Sequence, residues 1–438
     1  MKDLGIKNII TGIFVVAAVF ALMVFSGVVK LGGNEDVASG TVTVWGTISN
    51  QTFRKYIDQA KEKNLNINYI EKKPATFETD LINAFASGTG PDLFIMSHEG
   101  ILRHGDKVFE IPYASLPRDV YESTYIDEAR LFLTDTGSIA FPMTVDPLVM
   151  YFNKPLIASS FILDIPEYWD ELGDFAPQVT QFTGTGEVSI AAASLGTYDN
   201  IPHAKAILST LILQNGVNIV GENTVSGKKQ STLSLDDVNV ERTSQALNFY
   251  TSFANFGTNT YSWNEALIDA QNKFIAGEVA LYFGRASEVE NIRRKNPNLD
   301  FGVQLMPQVR ESTNRLTQGS MTGIAINKQS KNVSASIAVA SKLTSSSITE
   351  NLSKELLVAP AQKSVLRNKP GDDAFRTLVF NSAIISAGWI DTDPERTDDL
   401  FKTMIRNVNT GAQSTNDAIN RATADLNTIL DQTINKGR

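Results

Sequence analysis

The stretch FETDLINAFASGTGPDLFIMSHEG (residues 77–100) contains a complete switch from helix to strand, and its reading decides the fold. Phe77, Leu81, Ile82 and Phe85 recur at helical spacing, so residues 76–87 are predicted to form a helix with one apolar face. Gly88 tolerates the left-handed backbone that closes a helix, and the Gly90-Pro91 pair that follows turns the chain. Residues 92–96, DLFIM, are an apolar run of strand length. The run ends abruptly in Ser97, His98 and Glu99, a polar tip on a buried element.

The same alternation of types continues on the N-terminal side. TVTVWG (41–46) alternates as a strand, residues 51–63 place Phe53, Tyr56, Ile57 and Ala60 on one helical face, and INYIE (67–71) is a second strand. The order is βαβαβ, which implies a parallel sheet with right-handed crossovers. Ligands of such sheets sit beyond the carboxyl ends of the strands. Trp45-Gly46-Thr47 and Ser97-His98-Glu99 fall there.

From residue 147 the pattern becomes helix-rich. Residues 203–215, 240–256 and 264–276 are predicted helices, with Gly216 and Gly277 as stops. VALYFG (279–284), FGVQLMP (301–307) and GIAIN (323–327) are predicted strands, and a helix is expected at 332–344. Residues 415–434 carry Ala418, Ile419, Ala422, Leu426, Ile429 and Leu430 at a 3.6-residue period, the mark of a docking helix.

The chain has 438 residues, 42% of them hydrophobic and 20% charged, enough length for two or three cores. Its net charge of −9, with no basic stripe interleaved with aromatics, argues against nucleic acid as a partner. Residues 9–29 hold no charge over 21 positions, close to the roughly 20 that a membrane-crossing helix needs. Lys2 and Lys7 precede this run, which places the N-terminus inside and the bulk of the chain outside the cytoplasm. An uncleaved anchor is the expectation; the competing reading is a cleaved signal peptide with Val37-Ala38-Ser39 as its processing site. The chain has no cysteine, which removes disulfides, thiol catalysis and a lipid-modified cysteine tether together.

No motif for nucleophilic or metal chemistry stands out. His98 and His104 are six residues apart, off one helical face, with no third strong ligand nearby. His203 opens a helix without a Ser or Asp at any motif spacing. The Gly-Thr-Gly runs at 88–90 and 184–186 lack the Lys-Ser/Thr of a phosphate loop and are read as turns. A glycosidase-type pair of carboxylates would have to face each other across a cleft, which spacing does not show. The expectation is therefore a protein that is not an enzyme and carries no cofactor or metal.

Six segments then line up in order: FETDLINAFASGTGPDLFIMS (77–97), DPLVMYFNKPLI (146–157), IPEYWDEL (165–172), AQNKFIAGEVALYFG (270–284), FGVQLMPQ (301–308) and GIAINKQSKNVSASIAVASKLTS (323–345). Together they resemble the extracellular solute-binding proteins of ABC importers, the maltodextrin-binding type, over residues 41–435. The resemblance implies a periplasmic-binding-protein-like fold of two α/β lobes joined by hinge strands and preceded by the N-terminal transmembrane helix. Its expected division is 1–40 as anchor and linker, 41–146 plus 300–345 as lobe 1, and 147–299 plus 346–438 as lobe 2. Crossings between lobes are expected near 145–150, 301–306 and 345–350. In IPEYWDEL, Tyr168 stands where the family has a capping Thr.

The function implied is capture of a small solute, a sugar or oligosaccharide, between the lobes and its delivery to an ABC permease by a monomer. The alternatives are an exported glycan-acting enzyme and a surface binding or sensing module without a transporter. By resemblance Asp146 matches a carboxylate that takes ligand hydroxyls, Glu99 lies in a ligand-contacting loop beside His98, and Trp389 and Trp45 offer faces to a pyranose ring. Arg285 stands where relatives often have a Trp, and pairs either with an anionic ligand group or with a neighbouring acid. Tyr198 and Ser320 complete the candidate set, in the stretches 194–202 and 318–322 where, with 97–105 and 284–288, specificity is expected. Trp169 and Trp263 are expected in the core.

Overall fold

The computed structural model describes residues 40–61, 64–310, 312 and 314–435. The expected anchor at 9–29 lies outside them. Among the described residues no helix is long and apolar enough to cross a membrane.

The chain forms two compact units. The first comprises the described residues up to Thr144, together with Met321–Glu355 and Pro360–Arg367; the second comprises Val145–Ser320, Leu356–Ala359 and the described residues from Asn368 on. This division differs from the expected one. Residues 300–320 belong to the second unit, while 346–355 and 360–367 belong to the first. The strand at 301–305 does not cross; it pairs antiparallel with Val149–Asn153 inside the second unit. The strand that does cross is Thr317–Ile326, with the change of unit between Ser320 and Met321. Phe141–Asn153 crosses between Thr144 and Val145.

In the first unit the strands Gly40–Gly46, Leu65–Glu71 and Leu93–Ser97 pair in parallel with Gly40–Gly46 in the centre, as the βαβαβ order requires. Leu93–Ser97 then pairs antiparallel with Thr322–Ile326. The helix Asn50–Ala60 buries Phe53, Tyr56, Ile57 and Ala60, all four expected. Its Ser49 side chain accepts from Thr52 N–H at the start. The helix Pro74–Ser87 buries Phe77, Leu81, Ala84 and Phe85, whereas Ile82 is exposed. Gly88, at φ 67°, ends it by donating its N–H back to the carbonyls of Ala84 and Phe85. Phe85 then meets Phe94 of the next strand edge-on at 5.6 Å.

In the second unit Val279–Arg285 is the central strand. It pairs antiparallel with Leu148–Phe152 and parallel with Val188–Ala193, beyond which Gln181–Phe182 forms an antiparallel edge. Aromatic side chains fill the core: Tyr151, Phe274, Tyr282 and Phe283 are fully buried. Trp169 donates its indole N–H to Gln214 at 2.7 Å and Trp263 donates to Asn200 at 3.1 Å, so both are core residues, as expected. The missing hydroxyl at Tyr168 is offset from the other side, because the Glu171 carboxylate accepts from the N–H groups of Glu167 and Tyr168. The expected helix at 264–276 is shorter, Ala270–Ile275, because the Asp269 side chain caps it by accepting from Asn272 N–H. The tail helix Thr415–Gln432 buries all six of its predicted apolar residues.

Candidate functional site

Arg285 ends the central strand of the second unit opposite Leu148, two residues after Asp146. Its guanidinium is engaged by the protein. Nη1 donates to the main-chain carbonyls of Asp146 (3.0 Å) and Gln318 (3.1 Å), and Nη2 donates to the Gln318 side-chain oxygen at 2.5 Å. Gln318 is anchored in turn by its N–H on the Thr210 hydroxyl at 3.1 Å. A planar five-donor fork matches such converging acceptors, which a lysine ammonium would not.

The Asp146 carboxylate is also occupied, by the Ser287 hydroxyl at 2.6 Å and the Ser287 N–H at 3.2 Å. Burial pushes its carboxyl above the usual range, against the opposing charge of Arg285 and the Ser287 hydrogen bonds. One residue on, Glu288 collects donors from Gln271 (2.6 Å), Tyr282 (2.7 Å) and the Arg285 N–H (3.2 Å), and contacts the His203 ring. Burial pushes Glu288 up, but the hydrogen bond and charge of His203, with the hydrogen bonds from Tyr282 and the Arg285 N–H, outweigh it and leave the carboxyl below its ordinary value. Glu288 is thus occupied by four protein partners, whereas the Asp146 carboxylate takes two bonds from Ser287 and keeps further lone pairs.

Tyr198 and Trp389 belong to another part of the second unit. The Tyr198 hydroxyl donates to Asp398 at 3.0 Å, and burial together with that carboxylate pushes the phenol far up. Asp398 also meets Lys205 (2.9 Å), which reaches buried Asp391 at 3.0 Å. Trp389 is 6% exposed and packs its ring on Phe401, centroids 6.0 Å apart and 27° between planes. Ser320 lies half-buried on the strand Thr317–Ile326.

In the first unit Ser97 caps the short helix His98–Arg103 by accepting from Gly100 N–H. His98 is 1% exposed, and its Nδ1 accepts from the Met321 N–H at 3.3 Å. Glu99, in the first turn, is half-buried. Trp45 is half-buried, with the Lys72 ammonium 3.7 Å over its ring centre. Its indole N–H is buried and finds no acceptor among the described residues. Lys72 is held there by Asp80 at 3.1 Å.

The residues that spacing did not single out are Ser287, Glu288, His203 and Gln318. Of the segment 284–288, expected to set specificity, only Arg285 is a sequence candidate; the signal for the others is a serine and an acid two and three residues after it. Among the described residues no three His, Asp or Glu side chains gather as a metal site would require.

A family model described as bacterial extracellular solute-binding protein matches residues 45–347. Among solved structures, a cyclic α-maltosyl-1,6-maltose binding protein from Arthrobacter globiformis is 17% identical with a TM-score of 0.73, covering 90% of this chain and 100% of that one. A cyclo/maltodextrin-binding protein complexed with maltotetraose is 16% identical with a TM-score of 0.72, covering 93% and 100%. An ABC transporter solute-binding protein from Thermotoga lettingae, bound with α-D-tagatose, is 20% identical with a TM-score of 0.66, covering 90% and 100%. At these identities the likeness establishes the periplasmic-binding-protein-like α/β fold. No curated protein matches the sequence.

Proposed function

Because the chain belongs to the bacterial extracellular solute-binding protein family, we propose that it captures a sugar or short oligosaccharide outside the cytoplasm and delivers it, unchanged, to an ABC permease. The observation that carries this reading is the family match over residues 45–347 on a fold shared with proteins that bind maltotetraose, cyclic maltosyl-maltose and tagatose. In the first unit Trp45 and Glu99 are the proposed solute contacts: a ring edge with an unsatisfied N–H, and a half-buried carboxylate, suit a row of hydroxyls. In the second unit Ser320 and the outer lone pairs of Asp146 are the proposed contacts, and Arg285 holds the strands that carry them. The occupation of Glu288 by four protein partners supports binding without turnover.

Residues 9–29 are proposed to remain as an N-in membrane anchor, supported by 21 uncharged positions and the absence of a cysteine for lipid attachment. A tether of this kind keeps the binding unit concentrated near its permease. N-terminal sequencing of membrane-bound protein checks it, and a mature start near Gly40 would rule it out.

The function is tested by a thermal-shift screen of neutral sugars, amino acids and small anions, followed by product analysis of every hit. A solute bound only by the native state raises the melting temperature by mass action. Stabilisation by a sugar with no new product is expected; turnover, or stabilisation by anions alone, overturns the proposal.

A further inference from the structure

The second unit holds a cavity of about 370 Å³ that none of the strand-end residues lines; its lining includes Pro177, Thr180, Phe182, Phe256, Asn259 and Tyr261. No side chain lining it is charged. The rings of Phe182 and Tyr261 are parallel within 7° at 6.1 Å, and Phe256 stands edge-on to Tyr261 at 5.4 Å. Phe182 is 49% and Phe256 80% exposed, an unusual expense of apolar surface.

The exposure is built, not frayed. Phe256 sits on a turn in which the Asn255 side chain accepts from Gly257 N–H (2.9 Å), and the Thr258 hydroxyl donates to the Ser252 carbonyl (2.6 Å). The Tyr261 hydroxyl accepts from Asn264 at 2.9 Å, which leaves its own proton to donate outward. The exposed Asn259 amide adds a donor and an acceptor to the same lining.

The chemistry of this lining selects its occupant. An anion would need Arg or Lys and a cation would need a carboxylate, and neither lines the cavity. A second copy of the chain would need a contact on the order of 1,000 Å², far larger than a pocket of this size presents. A pyranose ring has an apolar C–H face for the aromatic shelf and hydroxyl edges for Tyr261 and Asn259. We infer that Phe182, Phe256 and Tyr261 form a second carbohydrate site, which holds a sugar unit of a neutral glycan chain while the strand-end residues take the transported solute. This inference rests on the carbohydrate reading of the proposed function.

The full chain, Phe256→Ala and Phe182→Ala/Phe256→Ala are run by native electrophoresis through gels holding soluble starch, galactomannan or mixed-linkage β-glucan. Calorimetry with maltotetraose, mannobiose and tagatose is done on the same samples. Retention of the full chain by at least one gel is expected, weakened on the order of tenfold in each variant, as loss of a stacked ring implies. Any calorimetric affinity is expected unchanged, and Phe256→Trp keeps retention because it keeps a ring. Equal melting temperatures establish that the variants are folded. Unaltered retention in the double variant, or no retention by any gel while one of the three sugars binds in the calorimeter, overturns the second site and leaves the proposed function standing. Absence of both retention and calorimetric binding counts against both.

Discussion

Arg285 donates to the main-chain carbonyl of Gln318 at 3.1 Å and to its side-chain oxygen at 2.5 Å, so one guanidinium grips both acceptors of a residue two strands away in the sheet. Gln318 lies two residues before Ser320, where the chain leaves the second unit, and Asp146, gripped by the same guanidinium, lies one residue after Val145, where the chain enters it. A side chain that resemblance offers as a ligand partner is thus committed to the backbone of both crossing strands.

Arg285→Ala is expected to lower unfolding stability by about 2–3 kcal/mol, since it strips a charged donor from two carbonyls and an amide oxygen. Arg285→Lys should recover only part, because an ammonium cannot span all three acceptors. Urea unfolding checks both. A loss below roughly 0.5 kcal/mol for the alanine variant would show that the fork is dispensable.

Trp389→Ala is expected to cost about 3–5 kcal/mol whether or not any solute is present, as for other buried tryptophans. Its ring is 6% exposed and packed on Phe401. Denaturation without ligand decides the matter: near-wild-type stability together with lost sugar binding would return Trp389 to the role of a stacking platform.

Trp45→Phe separates structure from binding in the opposite direction. The indole N–H has no acceptor among the described residues, so its removal should leave stability unchanged or slightly raised. If that donor meets a solute hydroxyl, affinity for the solute found in the thermal screen should fall by about tenfold, equivalent to roughly 1.4 kcal/mol. Calorimetry on the folded variant reads it, and an unchanged affinity removes Trp45 Nε1 from the contact set.

The acids in the second unit predict a pH dependence with two opposite signs. Glu288 has its folded pKa depressed, so its stabilisation is complete above the ordinary carboxylate value of about 4.5 and is lost as pH falls through the lower folded value. Asp146 has its folded pKa raised, so it weakens the fold as pH rises through that value and relieves the strain in acid. Glu288→Gln should therefore flatten the acid limb of the stability curve between about pH 5 and 3, whereas Asp146→Asn should steepen it. Denaturant titrations at intervals of half a pH unit test this. An unaltered acid limb in Glu288→Gln would show that Glu288 carries no protonation linkage to folding.

Much of the architecture was written locally. The helix stop at Gly88, the parallel order of the first three strands, the four buried residues of Asn50–Ala60 and the six of Thr415–Gln432 follow from period and punctuation, because a repeat of 3.6 or 2 leaves one face that only a core can take. Where the pattern was ambiguous, packing chose. Ile82 sits beside the apolar face of its helix but remains exposed, with Ala84 buried instead. Of the two predicted strands FGVQLMP (301–307) and GIAIN (323–327), the first stays within the second unit and the second is the end of the strand Thr317–Ile326 that crosses between the units.

The sequence by itself determined which segments are helix and strand, the family they resemble, and the polar tips at Trp45 and His98-Glu99 where parallel strands end. Only the tertiary structure decided which partners the buried polar groups of the second unit take. Arg285, Asp146, Glu288 and His203 are separated by as many as 142 positions, and their hydrogen bonds form only once two strands and a helix start bring them together. The reason is physical: a carboxylate or guanidinium buried with the fold must find a partner wherever the fold supplies one, and that choice depends on distances in space that no local spacing encodes.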